Sequence, residues 1–300
     1  MQAMGNDWGK IGMFDTLIAP SRLAPLLGTP GLVVIDCRFD LERPGWGEEE
    51  YSRARLPHAR YAHLDRDLSA AVSASTGRHP LPPADRLAER CGQWGIDARS
   101  QVVAYDQGAG AYAARLWWLL RWLGHRQVAV LDGGLAAWQA GRLPMEQGPA
   151  SAAGEPRAHF EGRPNGGMVA GTAEVEHAVN SGELARGRWV LVDARPADRF
   201  AGRNETLDPV AGHVPGACNL PFTDNLSEGR FLAPERLRER FTRALRGQPP
   251  EALVCMCGSG VTACHNLLAL EAAGLSGARL YAGSWSEWIR DPRRPVARGG

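Results

Sequence analysis

Short, unbroken apolar runs divide this chain at intervals: Val33-Val34-Ile35, Val102-Val103-Ala104, Val128-Ala129-Val130-Leu131, Val190-Leu191-Val192 and Leu253-Val254-Cys255-Met256. None alternates polar with apolar. Each is a few residues long and flanked by Gly, Pro or Asp, which predicts strands buried on both faces of a parallel sheet. Longer segments with helical spacing separate the runs, so strand and helix alternate, and the expected class is α/β.

The pattern occurs twice. Val33-Val34-Ile35-Asp36-Cys37-Arg38 is matched by Val190-Leu191-Val192-Asp193-Ala194-Arg195, and Arg55-Leu56-Pro57-His58-Ala59 by His213-Val214-Pro215-Gly216-Ala217. Val102 to Asp106 passes through a Gly-rich loop into Ala113 to Trp118, as Leu253 to Cys257 does into Ala263 to Leu268. Val128 to Gly134 leading to Trp138 is matched by Arg279 to Ser284 leading to Trp288. The chain therefore reads as a duplication, with a first domain over residues 13–145, a Gly/Pro/Ala/Glu-rich linker over 146–166 and a second domain over 167–298. Each domain is expected to be a parallel sheet covered by helices on both faces. Residues 1–12 read as a loose tail and 294–300 as a frayed end.

Composition removes some functions. At 300 residues two domains fit, and a formal net charge of +1 gives no reason to expect nucleic acid or a membrane surface as partner. No stretch approaches the roughly 18 apolar residues of a membrane span, and the first 30 residues lack the pattern of a secretory signal. A soluble, cytoplasmic protein is the expectation. Six cysteines, Cys37, Cys91, Cys218, Cys255, Cys257 and Cys264, are too few for a disulfide scaffold of this length. Any special cysteine is then a nucleophile or a ligand.

One cysteine is placed differently from the rest. Cys257-Gly258-Ser259-Gly260-Val261-Thr262-Ala263 lies between a strand and a helix, where a Gly-rich turn directs backbone N–H groups inward and the helix start adds its positive end. Two or three N–H donors to sulfur, at about 1.5 kcal/mol each, would favour the thiolate by a couple of pKa units. This segment resembles the active-site loop of the rhodanese and 3-mercaptopyruvate sulfurtransferase family, and the tandem organisation matches as well, over nearly the whole chain. The resemblance implies two tandem rhodanese-like domains and a double displacement through a persulfide on Cys257. It also implies no metal or organic cofactor, a small-molecule sulfur donor, and a thiol, cyanide or thioredoxin-like acceptor.

On the same resemblance Arg199 binds the donor's anionic group, and the substrate loop is Gly258, Ser259, Gly260, Val261 and Thr262. The equivalent first-domain loop starts at Asp106, which cannot carry sulfane sulfur. That domain is expected to be structural, packing against the second and walling its cleft, with Trp117, Trp118 and Trp122 forming a buried helical face. Arg195 is expected to pair with Asp193, His213 to be structural, and Cys255 and Cys264 to be packing residues. The sequence departs from the family at two places. Asp208-Pro209-Val210 stands where a second substrate arginine is common, leaving Arg55 or Arg203 as possible replacements, and Arg55 itself stands where a histidine is frequent.

Other readings are weaker. A phosphatase of the related fold needs an arginine six residues after the cysteine, and position 263 is alanine. For a zinc site, Cys255 and Cys257 share a strand face, but the helix sends Cys264 and His265 in divergent directions. A non-enzymatic tandem module or sulfur-carrier scaffold is opposed by the intact cysteine loop. Thiosulfate-preferring members of the family it resembles tend to carry basic side chains at the positions of Gly258 and Ser259, so the resemblance implies that a singly charged donor such as 3-mercaptopyruvate is preferred over thiosulfate.

Overall fold

A computed structural model describes residues 12–148 and 157–299. The chain resolves into two compact units, one comprising residues 1–67 and 83–164 and the other residues 68–82 and 165–300.

In the first unit the apolar runs become a five-stranded sheet in the order Leu17–Ile18, Val128–Leu131, Gln101–Tyr105, Leu32–Asp36, Arg60–Tyr61, every pair parallel. The second unit has a four-stranded parallel sheet in the order Arg279–Leu280, Leu253–Met256, Val190–Asp193, Cys218–Asn219. Its register sets Cys255 beside Val192 and Met256 beside Asp193. The central strands are buried along their whole length, as unbroken apolar runs require. Helices Ala113–Trp122 and Ala263–Ala272, which follow the two Gly-rich loops, are apolar almost all round and correspondingly buried. Trp117, Trp118 and Trp122 are core residues, and the last two stack at 6.1 Å.

The duplication extends to single hydrogen bonds. Arg38 Nε and Nη2 grip the Asp36 carboxylate, and Nη2 donates to the Ala54 carbonyl. Arg195 does the same with Asp193 and the Gly212 carbonyl. A buried carboxylate needs such a bidentate partner, and each Asp-x-Arg supplies its own.

Three segments differ from the sequence reading. Within the expected linker, Glu146–Gln147 pairs antiparallel with Ala54–Arg55. Ala158 and Arg163 donate to the carbonyls of Gly92 and Leu123, and residues 149–156 lie outside the described residues. The C-terminal end is pinned up to residue 299, because His213 and Ala297 exchange two backbone hydrogen bonds of 2.9 Å and Arg294 donates to Glu176 at 3.1 Å. Residues 1–11 of the expected tail, and residue 300, are not described. Most consequential is segment 68–82. It falls inside the expected first domain yet belongs to the second unit.

Candidate active site

The strand Leu253–Met256 carries Cys257 to its carboxyl end, and the helix Ala263–Ala272 starts beyond the loop. Gly260 makes the turn possible. Its φ is +78°, and a Cβ there would lie 2.4 Å from the Ala282 carbonyl oxygen, so both backbone conformation and space exclude a side chain. In that conformation the Gly260 N–H donates to Cys257 Sγ at 3.1 Å. It is the one backbone donor hydrogen-bonded to the sulfur among the described residues, where the sequence reading expected two or three.

The other side of the loop is pinned by the segment opening helix Ser284–Trp288. Cys257 N–H donates to Ser284 Oγ at 3.1 Å, and that hydroxyl donates to the Tyr281 carbonyl at 2.8 Å. Trp285 and Ser286 N–H groups donate to the carbonyls of Cys257 and Gly258 at 3.0 and 2.9 Å. Cys257 is 2% exposed. Burial, and then the neighbouring Cys264 and Cys257, push the Cys255 thiol well above its ordinary range, so it stays protonated and does not compete as a nucleophile. Cys264 Sγ donates to the Gly260 carbonyl at 3.3 Å and packs against the back of the loop.

Segment 68–82 supplies two side chains that the sequence reading did not single out. The Arg78 N–H donates to Ser286 Oγ at 3.0 Å, and Arg290 Nε donates to the Thr76 carbonyl at 3.0 Å. Gly77 lies so close that a Cβ would be 2.6 Å from the Gly283 carbonyl oxygen. Locked in this way, His79 Nδ1 lies 2.7 Å from Ser259 Oγ, and both residues are buried. The Arg78 guanidinium occupies the space in front of Gly258, where a Cβ would sit 2.8 Å from Nη2. Gly-Arg-His-Pro in an aperiodic stretch was the available signal, because long loops without secondary structure tend to carry function.

Arg199 sits on the same side of the loop, with Nη2 and Nη1 at 3.7 and 3.8 Å from the Cβ position of residue 258. It is not a bare cation. Its Nε and Nη2 hold Glu205 at 2.7–3.2 Å, and Nη2 reaches Asp208 Oδ2 at 3.3 Å. Glu205 also meets Arg195 Nη1 at 3.3 Å, and Asp208 is ion-paired with Arg78. Burial raises the Glu205 carboxyl, but the hydrogen bonds from Arg199 and from the Leu207 and Asp208 N–H groups outweigh it and leave it below the ordinary range. For Asp208 burial wins and holds the carboxyl above it, against the pull of Arg78.

Of the two arginines considered as replacements, Arg55 is buried in the first unit, paired with Glu146, donating to the Gly148 carbonyl at 2.6 Å and lying over the Tyr51 ring. That is a structural role. Arg203 is exposed, and its backbone N–H donates to the Asp198 carbonyl. His213 Nδ1 is 2.8 Å from the Phe200 carbonyl and its ring stacks on Phe200 at 3.8 Å, a structural placement. Thr262 forms the N-cap without a side-chain capping bond, and Val261 is buried in the loop.

The first unit keeps the loop without the thiol. Asp106 Oδ1 accepts from the N–H groups of Gly108 and Gly110 at 3.0 and 2.9 Å, and Oδ2 from those of Tyr112 and Ala113 at 2.9 and 3.3 Å. Four N–H groups converge on one buried carboxylate, which demonstrates that the turn is an anion cradle. Here its own aspartate fills it.

Comparison with known proteins agrees with this geometry. A family model described as "Rhodanese-like domain" matches residues 19–141 and 174–291. A protein of Pseudomonas aeruginosa named "Probable 3-mercaptopyruvate sulfurtransferase" is 52% identical over 286 residues, 94% of this chain and 98% of that protein. One of Mycobacterium tuberculosis, named "Putative thiosulfate sulfurtransferase SseB", is 37% identical over 289 residues, 95% of this chain and 98% of that protein. The solved structure of 3-mercaptopyruvate sulfurtransferase from Leishmania major superposes with a TM-score of 0.80 at 32% identity, covering 93% of this chain and 76% of that one. With two matched domains and an intact cysteine loop in the second, the chain belongs to the rhodanese family as a tandem-domain sulfurtransferase.

Proposed function

We propose that the chain moves sulfane sulfur from 3-mercaptopyruvate, with thiosulfate as the poorer donor, to a thiophilic acceptor through a persulfide on Cys257. The observation that carries this reading is the Gly260 N–H aimed at Cys257 Sγ at 3.1 Å in a turn whose first-unit copy holds a carboxylate. The names of the Pseudomonas aeruginosa and Leishmania major relatives support the choice of donor.

In the first half-reaction the Cys257 thiolate attacks the sulfur of mercaptopyruvate. The S–S bond forms as the C–S bond breaks, and the electron pair leaves as the enolate of pyruvate. That carbanion takes a proton, a role assigned in this reading to the buried His79–Ser259 pair, whose Nδ1 and Oγ lie 2.7 Å apart in the loop. The donor's S–H proton remains with the outer sulfur or is lost to water. In the second half-reaction a small thiolate, cyanide or a thioredoxin-like thiolate attacks the outer sulfur and releases the Cys257 thiolate. Residues 258–262 shape the turn around the reacting sulfur, and Arg199 offers the donor's carboxylate an N–H face.

Incubation with mercaptopyruvate is expected to add one sulfur mass to the peptide bearing Cys257, removable by a reducing thiol. Cys257→Ser is expected to abolish both the adduct and transfer, because a seryl hydroxyl stays protonated and forms no persulfide. Sulfur found on Cys255, or full turnover by the serine variant, would refute the assignment.

A further inference from the structure

We propose that the first repeat carries a binding site for a ring-bearing organic phosphate, at the open edge of its sheet and apart from the sulfur-transfer loop. That sheet ends at the strand Arg60–Tyr61. Residues of this strand and of helices Trp46–Arg53 and Ala84–Gln93 line a cavity of about 500 Å³, whose lining lies wholly within the first unit. A concave space of that size suits a small molecule. Three rings, Tyr51, Tyr61 and Trp94, supply its apolar wall. Their polar ends are engaged inside the protein: Tyr51 Oη donates to the Ala59 carbonyl at 2.8 Å, Tyr61 Oη to the Arg38 carbonyl at 3.0 Å and Trp94 Nε1 to the Tyr61 carbonyl at 3.2 Å. What they offer a ligand is ring surface, which a second ring can pack against.

The rest of the lining is cationic. It holds four guanidiniums, of Arg60, Arg66, Arg90 and Arg157, and two carboxylates, of Glu48 and Asp67. Arg66 pairs with Glu48 at 2.7 Å and Arg90 with Asp67 at 2.9 Å, so the lining keeps an excess of two positive charges. Like charges gathered around one cavity repel, and a phosphate dianion relieves that repulsion while accepting guanidinium forks in pairs. The second repeat shows that the fold does not require such a lining. Ile35 lies beside Arg60 and Val192 beside Cys218, so Cys218 holds the same place on the edge of the other sheet. The cavity beside Cys218 is about 80 Å³, and of the described residues that line it Arg246 alone is charged. Packing at this edge is thus met by a thiol and apolar neighbours, whereas the first repeat widens the space and surrounds it with guanidiniums.

The test is equilibrium dialysis of the full-length protein against labelled adenosine monophosphate, and against adenosine and inorganic phosphate as its two halves. The monophosphate is expected to bind with a Kd below about 1 mM, and each half at least about tenfold more weakly. Arg60→Cys, which copies the second repeat, should weaken binding by about tenfold or more. The Arg66→Ala, Arg157→Ala double variant should do the same, and because both side chains are exposed it should keep the parent's circular dichroism. Its mercaptopyruvate turnover should stay within about twofold of the parent. Alkylation of Cys257 should leave binding of the monophosphate unchanged, since no lining residue belongs to the second unit. The proposal is overturned if no monophosphate is retained at about 1 mM, or if phosphate alone binds as tightly. It is equally overturned if the folded double variant binds as the parent does, or if alkylating Cys257 abolishes binding.

Discussion

At the scale of single residues, the site is a set of buried charges and donors held by partners that are themselves held. Asp106 illustrates what the Gly-rich turn does for a negative charge. Its carboxylate accepts four backbone N–H groups, whereas an asparagine in its place could satisfy those facing only one of its two terminal atoms. Asp106→Asn is therefore expected to lower unfolding stability by about 2–4 kcal/mol, since each buried N–H left without an acceptor costs about 1–3 kcal/mol. The persulfide yield per folded molecule should stay unchanged, because that loop carries no thiol. Chemical denaturation followed by mass analysis of the sulfur adduct measures both. A loss of adduct in a protein that remains folded would give the first-unit loop a part in the chemistry.

At the scale of elements, the strand–turn–helix around Cys257 is legible in sequence because local rules determine it. An unbroken apolar strand, a Gly-rich turn and an apolar helix leave few alternatives, and the duplicated copy repeats the argument. The Gly260 turn makes this testable. Gly260→Ala would force a φ of +78° on a residue with a Cβ and drive that Cβ within 2.4 Å of the Ala282 carbonyl oxygen, a conflict that only a backbone shift relieves. The Gly260 N–H would then leave Cys257 Sγ. Turnover is expected to fall about tenfold or more, with destabilisation of about 1–3 kcal/mol. Calorimetry and turnover together check it, and a fully active, undiminished variant would show that the turn tolerates a side chain. Arg78 and His79 were not legible by the same rules. They lie in a segment with no periodicity, and the hydrogen bond that places His79 joins residues 180 apart in the sequence. No local pattern encodes such a contact. The Arg199 ion pairs escaped for a related reason: sequence names the cation, but the fold of the stretch from Glu205 to Asp208 decides how much of its charge is spent.

At the scale of the whole molecule, the duplication invites the view that the second repeat is a self-sufficient catalyst, and the division of the chain argues otherwise. The second unit comprises residues 165–300 together with 68–82, so the chain leaves the first repeat after Asp67 and re-enters it at Pro83. The borrowed segment has its own attachments, from the Arg78 N–H to Ser286 Oγ and from Arg290 Nε to the Thr76 carbonyl. It brings the hydrogen-bond partner of Ser259 and the guanidinium that fills the space before Gly258. A fragment of residues 165–300 keeps Cys257, Arg199 and the Gly260 turn but loses both contributions. Each is a contact of about 1.5–3 kcal/mol where a charge is involved and about 1 kcal/mol otherwise, so together they should lower kcat/KM for mercaptopyruvate by about 10²-fold or more. The full-length Arg78→Ala, His79→Ala double variant should show a loss of similar size, which separates the missing side chains from any cost of cutting the chain. Circular dichroism and iodoacetamide labelling of Cys257 report whether the fragment has kept its sheet and its loop. If a folded fragment turns over mercaptopyruvate within about tenfold of the intact protein, segment 68–82 is packing rather than machinery, and the second repeat carries the reaction alone.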